Sequence, residues 1–244
     1  MYEIYEKIIH VDSTDVDRYD RLRPSALLRY FQDMGTEHTL LVGMGREHLV
    51  SEFHGCWILT RVWFRLERPI LSGEKLRVET WHRGISGIQV YRDFQIYAGE
   101  EPVGQAVSAW VVADVESRKM LRPKNIPAIA AAPVPQGAEG PQLKLIKAPE
   151  GKQFSYEKTV RYADLDVNGH MNNTKYADVM LDVFTPEELE ENYVAEMQLN
   201  YSQECRFGET LAVSRYMEGD SCYIDGCDRD GKRRFEAVVQ LRKP

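Results

Sequence analysis

The chain has 244 residues, of which 43% are hydrophobic, so it is long enough to bury one large core or two small ones. Its formal net charge of −7 argues against nucleic acid as a partner, because phosphate backbones bind to basic surfaces. No stretch approaches the roughly 18 uninterrupted apolar residues of a membrane-spanning helix, so no membrane span is expected.

The N-terminus and the cysteines give no sign of export or of a metal site. The first residues lack the basic start and apolar run of a signal peptide, which predicts a cytoplasmic, unanchored protein. The cysteines have neither metal-like C-x-x-C spacing nor the density of a disulfide scaffold, so we expect reduced thiols and no zinc or other metal. The four are Cys56, Cys205, Cys222 and Cys227.

The first half predicts one long helix followed by a run of antiparallel strands. After a strand-like start at residues 2–11, Pro24 and Ser25 open an amphipathic helix that ends at the Gly43–Gly45 break. β-branched and aromatic residues then predict four strands separated by turn signals. This order is typical of an α+β domain whose sheet wraps around the helix. The predicted strands are Trp57–Leu66, Lys75–Arg83, Ile88–Tyr97 and Val103–Val115.

A linker separates this half from a second, shorter one. Residues 123–153 contain six of the eleven prolines, a composition typical of a linker. Beyond it the order strand, polar turn, helix and strands recurs. We therefore expect an N-terminal domain over residues 1–122, the linker, and a C-terminal domain over 154–244. In the second domain the pattern predicts strands at 154–162, 194–205, 209–218, 221–227 and 233–242, with a helix over 173–184.

The two halves repeat one another, which indicates an internal duplication. Residues 15–33 align without a gap on residues 164–182 at an offset of 149, and residues 72–76 align on residues 207–211 at an offset of 135. Only the second copy keeps a full set of reactive side chains, so the first copy is expected to be catalytically silent. The matched pairs are Asp17 and Asp166, Tyr19 and Asn168, Arg21 and His170, and Pro69 and Glu204.

The segment Asp164–Tyr176 concentrates polar side chains just before the second predicted helix. It reads DLDVNGHMNNTKY, with two carboxylates, three amides and the only histidine among residues 123–244. Asx-rich turns often cap helices without any catalytic role, and Asn172 or Asn173 is placed to do so here. If the segment is extended, Asp166, Asn168 and His170 alternate and point to the same side.

Two segments resemble the acyl-acyl-carrier-protein thioesterases, a hot-dog-fold family. The string DLDVNGHMNNTKY resembles the signature of that family, apart from a departure at Gly169. Tyr201–Leu211, which reads YSQECRFGETL, resembles the family segment in which an acidic catalytic residue precedes a cysteine. The resemblance implies two tandem hot-dog domains, the first shaping the acyl pocket and the second carrying the catalytic residues. The absence of a long N-terminal extension before Met1 suggests a bacterial form related to the plant enzymes.

The resemblance also implies a catalytic set of Asp166, Asn168, His170 and Glu204. In the preferred hypothesis, Glu204 and His170 polarise water, Asp166 orients the histidine or the water, and Asn168 stabilises the thioester oxygen. One rival makes Asp166 a nucleophile that forms an anhydride. Another makes Cys205 the nucleophile, but on a regular strand Cys205 and Glu204 face opposite ways, so we expect Cys205 in the core.

The resulting hypothesis is hydrolysis of fatty acyl-acyl carrier protein, which releases free fatty acid and ends chain elongation without a cofactor. Met34, Trp57 and Leu59 are expected to bind the acyl chain, because a fatty chain needs apolar walls. The alternatives are an acyl-coenzyme A thioesterase, a hot-dog dehydratase and a non-enzymatic acyl-ligand sensor. A homodimer is one open arrangement. Because carrier proteins are acidic, a local basic patch is expected, and the slightly less acidic N-terminal half is expected to carry the docking face.

Overall fold

The computed structural model describes residues 4–132, 134–135, 141–143 and 145–244. The described chain divides into two compact units that interleave along the sequence. Most of the N-terminal half forms the first unit, whereas residues 11–29 and 63–73 group with the C-terminal half in the second. The domain limits at residues 122 and 153 stay predictions.

The first unit is built on an antiparallel sheet with the strand order β1-β3-β4-β5-β2, and the short β6 pairs with β5. Each of the four strands predicted between residues 57 and 115 is present, with ends that differ by a few residues. The strands are β1 (Ile4–His10), β2 (Gly55–Leu66), β3 (Lys75–Ser86), β4 (Gln89–Ala98), β5 (Glu101–Asp114) and β6 (Met120–Leu121).

The main helix of the N-terminal half, α1 (Pro24–Leu41), has the limits that the apolar spacing predicts. Within the first unit its Phe31 ring packs on Phe94 of β4, with ring centroids 4.4 Å apart. A second helix, α2 (Arg46–Phe53), was not predicted, because only its Leu49 is buried and the rest lacks an apolar stripe. The proline-rich segment contains one short helix, α3 (Pro127–Ala130).

The second unit contains an antiparallel sheet with the order β8-β11-β10-β9-β7. Its central helix is shorter than predicted, and a second helix after it was missed. Tyr176 of the central helix is buried edge-on against Phe235 and Tyr201 of the sheet, at 5.4 and 5.3 Å between ring centroids. The elements are α4 (Lys175–Leu181), α5 (Pro186–Glu191), β7 (Gln153–Thr159), β8 (Tyr193–Tyr201), β9 (Thr210–Glu218), β10 (Ser221–Cys227) and β11 (Arg233–Arg242).

Antiparallel sheets packed on a few helices confirm the α+β class. All four cysteines are free thiols. Among the described helices, none combines the length and the apolar character needed to span a bilayer.

Candidate active site

The segment around His170 is a tight turn, as the order strand, polar turn and helix predicts, so the extended geometry in which Asp166, Asn168 and His170 would share one side does not occur. The Asp166 carbonyl accepts a hydrogen bond from the Gly169 N–H at 3.0 Å, and the Asp166 N–H donates to the His170 carbonyl at 2.8 Å. Gly169 has a φ of 75°, the left-handed conformation that glycine adopts without steric cost. Asp and Gly are residues that commonly form such turns.

The Asp166 carboxylate holds this turn together. Its Oδ1 atom accepts hydrogen bonds from the backbone N–H groups of Asn168 at 2.8 Å and of His170 at 3.3 Å. An Asp side chain that binds the N–H groups two and four residues ahead fixes the main chain on which both side chains stand. In this structure Asp166 therefore positions His170 through the backbone.

A second carboxylate anchors the start of the same segment. Asp164 is buried and accepts hydrogen bonds from the Arg161 N–H at 2.8 Å and from Lys158 Nζ at 3.0 Å. Burial by itself would raise the pKa of Asp164, but these two donors outweigh it and hold the pKa below its ordinary value. The charged carboxylate thus fixes the chain that leads into the turn.

The imidazole of His170 lies against the carboxylate of Glu204, with Nε2 and Oε2 3.2 Å apart. The backbone brings them together: His170 pairs with Arg206 across an isolated antiparallel bridge, and the Met171 N–H donates to the Cys205 carbonyl at 2.8 Å. The side chains of His170 and Glu204 are 16% and 36% exposed, so the pair is partly shielded but open to solvent.

This pairing has a direct chemical consequence. A carboxylate beside Nε2 favours the tautomer that carries its proton on that nitrogen, which leaves Nδ1 as a proton acceptor. A histidine oriented by a carboxylate in this way is suited to take a proton from water. The neighbouring Asn168 is exposed, and its side-chain amide has no hydrogen-bond partner in the part of the chain that the structure describes.

Cys205 is unsuited to act as the nucleophile. Its side chain is fully buried, whereas Glu204 on the other side of the same backbone is partly exposed, so the two face opposite ways as expected. Burial raises the pKa of the Cys205 thiol, with a hydrogen bond to Tyr176 opposing the shift without reversing it. A buried, protonated thiol is a poor nucleophile because the thiolate is the reactive form.

Asn172 has the structural role that its residue type commonly takes. Its Oδ1 atom accepts hydrogen bonds from the backbone N–H and the hydroxyl of Thr174, at 2.9 and 2.8 Å, just before α4 begins at Lys175. The side chain therefore shapes the helix start.

The matching turn in the N-terminal half has the same hydrogen bonds. Asp17 Oδ1 accepts from the N–H groups of Tyr19 at 2.8 Å and Arg21 at 3.1 Å, and the Asp17 N–H donates to the Arg21 carbonyl at 2.8 Å. Asp20 takes the left-handed conformation with a φ of 62°. The Leu22 N–H donates to the Ile70 carbonyl at 2.7 Å, as Met171 does to Cys205. The two turns that the sequence alignment pairs therefore share these hydrogen bonds.

In this first copy, the residue that replaces the histidine binds a helix end. Arg21 donates hydrogen bonds to the backbone carbonyls of Leu189, Glu190 and Asn192 at 2.6–2.8 Å, and thus caps the C-terminus of α5. The Tyr19 hydroxyl donates to the Pro186 carbonyl at 2.6 Å. The cavity beside Arg21 measures only about 60 Å³, room for about two water molecules.

Arg234 supports the glutamate and was not found by sequence reasoning. It donates through Nη1 to the Glu204 carbonyl at 2.8 Å, through Nε to Asp228 at 3.0 Å and through Nη2 to Glu209 at 3.3 Å. It is one of many charged residues on an alternating strand, so no local signal distinguished it.

The expected acyl-binding residues lie on different parts of the first unit. Met34 is fully buried in α1, whereas Trp57 and Leu59 on β2 are half-buried. Trp57 Nε1 donates to the Met44 carbonyl at 3.0 Å, and its ring lies edge-on to Trp110 at 6.4 Å between centroids. An apolar cluster of Met44, Leu49, Val90, Val112, Ile126 and Ile129 packs around these tryptophans.

A buried polar group inside the first unit was also missed. Arg92 of β4 is 6% exposed, and its Nη1 atom lies 2.8 Å from His38 Nδ1 and 3.1 Å from the Thr80 hydroxyl. Burial lowers the pKa of Arg92 to about 10 and that of the neighbouring His82 to about 4. His82 is therefore neutral at neutral pH. In the sequence, Thr80, His82 and Arg92 have the pattern of ordinary polar residues on the solvent face of a strand.

Comparison with solved structures identifies the fold. The chain superimposes with a TM-score of 0.90 on an acyl-ACP thioesterase from Bacteroides thetaiotaomicron, at 21% identity over 98% of each chain. The 12:0-ACP thioesterase from Umbellularia californica gives a TM-score of 0.88 at 22% identity, over 100% of this chain and 99% of the other. The chain shares the α+β hot-dog fold of these thioesterases.

Sequence comparisons add the family. Residues 3–127 match the model of the acyl-ACP thioesterase N-terminal domain, and residues 147–232 match that of the C-terminal domain. The chain belongs to the acyl-ACP thioesterase family, which confirms the resemblance of its two motifs.

Two curated plant relatives show the extent of the match. The chain is 24% identical to a chloroplastic oleoyl-acyl carrier protein thioesterase from Coriandrum sativum, over 74% of this chain and 53% of that protein. It is 28% identical to a chloroplastic acyl-[acyl-carrier-protein] hydrolase from Cuphea viscosissima, over 73% of this chain and 47% of that protein. The chain thus spans about half the length of these relatives.

The two matched turns predict opposite effects for His170 and Arg21. Arg21→Ala removes the cap of α5 and should lower the free energy of unfolding by about 1–2 kcal/mol in urea titrations, while hydrolysis continues. His170→Ala should abolish hydrolysis with little change in stability. Arg18→Ala, at an exposed arginine of the first turn, serves as the control. Loss of hydrolysis in a folded Arg21→Ala protein would contradict the division between the copies.

Glu204 and Cys205 provide a second test. Glu204→Ala removes the carboxylate that orients His170, so turnover should fall by about a hundredfold or more. Cys205→Ala should retain most of the activity, because the thiol is buried and protonated. Steady-state turnover of both variants, with circular dichroism to confirm folding, measures the difference. The opposite ranking would restore the thiol mechanism.

Proposed function

We propose that this chain hydrolyses the thioester of fatty acyl-acyl carrier protein, releasing free fatty acid and thereby ending chain elongation. The observation that carries the proposal is the His170–Glu204 pair, 3.2 Å apart and open to solvent, on a turn that matches the family signature. Membership of the acyl-ACP thioesterase family supports the substrate class. The two plant relatives described above are named for activity on acyl-acyl carrier protein.

In the proposed mechanism, water attacks the thioester carbonyl while His170 Nδ1 accepts its proton. Glu204 holds the imidazole in the productive tautomer and balances the positive charge that the ring gains. The exposed Asn168 amide is placed on the same turn and donates to the developing oxyanion. The thiolate then departs without much assistance, because a thiol with a pKa near 8.5 is a good leaving group.

Asp166 enters this mechanism as a positioning residue. One of its carboxylate oxygens already accepts two backbone N–H groups, so it is poorly placed to attack as a free nucleophile. Its contribution is to hold the main chain of Asn168 and His170 in the turn, so that both side chains are oriented before substrate arrives.

The chain is proposed to form two tandem hot-dog domains, and the acyl chain is proposed to bind in the first of them. Trp57, Trp110 and the apolar cluster around them supply a wall of large apolar side chains. Met34 and Leu59 are included as pocket residues. Because the first copy has lost the histidine and the glutamate, its interior can vary with acyl-chain preference without affecting the catalytic pair.

The role of Asp166 can be separated from the anhydride mechanism by two substitutions. Asp166→Ala removes both hydrogen bonds to the turn, and turnover should fall by about a hundredfold or more. Asp166→Asn keeps an oxygen acceptor for the same N–H groups, so most of the lost turnover should return. Steady-state kinetics on a carrier-bound substrate measure both. An Asn variant as inactive as the Ala variant would support a nucleophilic carboxylate.

Pocket substitutions should change the preferred acyl length. Trp57→Ala or Met34→Ala enlarges the proposed pocket and should favour longer chains, whereas Leu59→Phe should favour shorter ones. Each methylene buried or excluded is worth about 0.8 kcal/mol, or about fourfold in kcat/KM. The measurement is hydrolysis of a carrier-bound panel from short to long chains, with the exposed Ile88→Ala as control. An unchanged length profile in folded variants would place the acyl chain elsewhere.

A further inference from the structure

Five exposed residues surround the catalytic turn and form what we term the rim patch: Arg161, Tyr162, Val167, Arg206 and Phe207. The three apolar side chains are unusually exposed, at 85% for Tyr162, 95% for Val167 and 62% for Phe207. Neither arginine forms an ion pair within the described ranges of the chain. Exposed aromatic residues beside unpaired arginines are typical of the contact surface of a protein complex.

Main-chain hydrogen bonds hold the patch next to the catalytic pair. The Gly208 N–H donates to the Val160 carbonyl at 3.0 Å, and the Val160 N–H donates to the Glu209 carbonyl at 2.9 Å, which joins the segment of Arg161 and Tyr162 to the turn of Arg206 and Phe207. Arg206 in turn is the bridge partner of His170. Val167 lies at the tip of the catalytic turn itself.

The first copy of the turn shows that the fold does not require these residues. At the positions of Arg161, Tyr162, Val167, Arg206 and Phe207, the first copy has Asp12, Ser13, Arg18, Leu71 and Ser72. The two turns nevertheless share their hydrogen bonds, including the one from the Gly73 N–H to the Val11 carbonyl at 2.8 Å. The two aromatic residues and the additional arginine at the rim of the second turn are therefore not required for the turn to fold.

We propose that the rim patch is the docking surface for the acidic carrier protein that delivers the acyl chain. The proposal rests on the proposed function and extends it, because it names the surface on which the carrier sits during hydrolysis. The two arginines attract a negatively charged surface in spite of the overall charge of −7, and Tyr162, Val167 and Phe207 contact its apolar part. The surface lies in the C-terminal half, although the N-terminal half is the less acidic.

The exposure of the patch favours a protein over a nucleotide. Side chains that are 85% and 95% exposed protrude from the surface, and protruding apolar groups fit hollows in a partner protein. The phosphates and base of coenzyme A instead require a concave site with several converging N–H donors. The same arginines would serve a nucleotide only in such a cleft.

The test replaces four of the five rim-patch residues by their counterparts in the first copy and leaves Val167 unchanged. The combined variant Arg161→Asp, Tyr162→Ser, Arg206→Leu and Phe207→Ser uses residues that the same turn already accommodates. The KM for acyl-acyl carrier protein should rise by about tenfold or more with little change in kcat, and the salt dependence of kcat/KM should flatten. Hydrolysis of the corresponding acyl-pantetheine, which lacks the protein carrier, should be unchanged. Arg46→Asp, at an exposed arginine of α2, is the charge control; it changes the net charge by −2, against −3 for the combined variant.

Titration of carrier protein without an acyl chain separates this inference from the proposed function. If the carrier protein binds the wild type and its affinity for the variant is lower by about tenfold or more, the rim patch is supported as the docking surface, whatever the turnover. Equal binding by both proteins would overturn it, as would a parallel loss of acyl-pantetheine hydrolysis. Inhibition by adenosine 3′,5′-bisphosphate that disappears in the variant would make the patch a nucleotide site and overturn it too. If the wild type binds the carrier protein but does not hydrolyse its acyl thioester, only the proposed function is refuted.

Discussion

The structure of the site depends on one interaction, an aspartate carboxylate that accepts hydrogen bonds from the backbone N–H groups two and four residues ahead. It occurs twice, at Asp17 and at Asp166, each time with a left-handed residue completing the turn. The interaction is local, so the turn can form whatever side chains project from it. It therefore supplies a local support on which the two matched turns carry different side chains.

The two turns differ in the group that contacts the side chain of the fourth residue after the aspartate. His170 meets the Glu204 carboxylate, and the pair can transfer a proton. Arg21 meets the carbonyls at the end of α5, and Pro69 stands where a carboxylate would be needed. The proposed mechanism thus needs two residues, His170 and Glu204, that are distant in sequence, whereas Arg21 at the matched position makes a structural contact instead.

Local sequence patterns predicted much of the secondary structure. The apolar spacing of residues 24–41 and the Gly43 break gave the limits of α1, because helix periodicity and breakers act over neighbouring residues. The surface helices α2 and α5 have no apolar stripe and were missed. The motif at 164–176 indicated the candidate catalytic segment through its resemblance to a family, and its Asp, Asn and Gly residues predicted the turn that the segment forms. Contacts between distant strands, such as that of Arg234 with the Glu204 carbonyl, leave no trace in local sequence.

The capping of α5 by Arg21 makes the asymmetry of the two copies hard to reverse. A single change from arginine to histidine would remove three hydrogen bonds from a helix end and would create a histidine opposite a proline, with no carboxylate to orient it. This change would lower stability, and a carboxylate at position 69 would still be needed before a pair like His170 and Glu204 could form. The capping of α5 therefore opposes the appearance of a second pair of this kind, because the helix would lose its arginine before a carboxylate was gained.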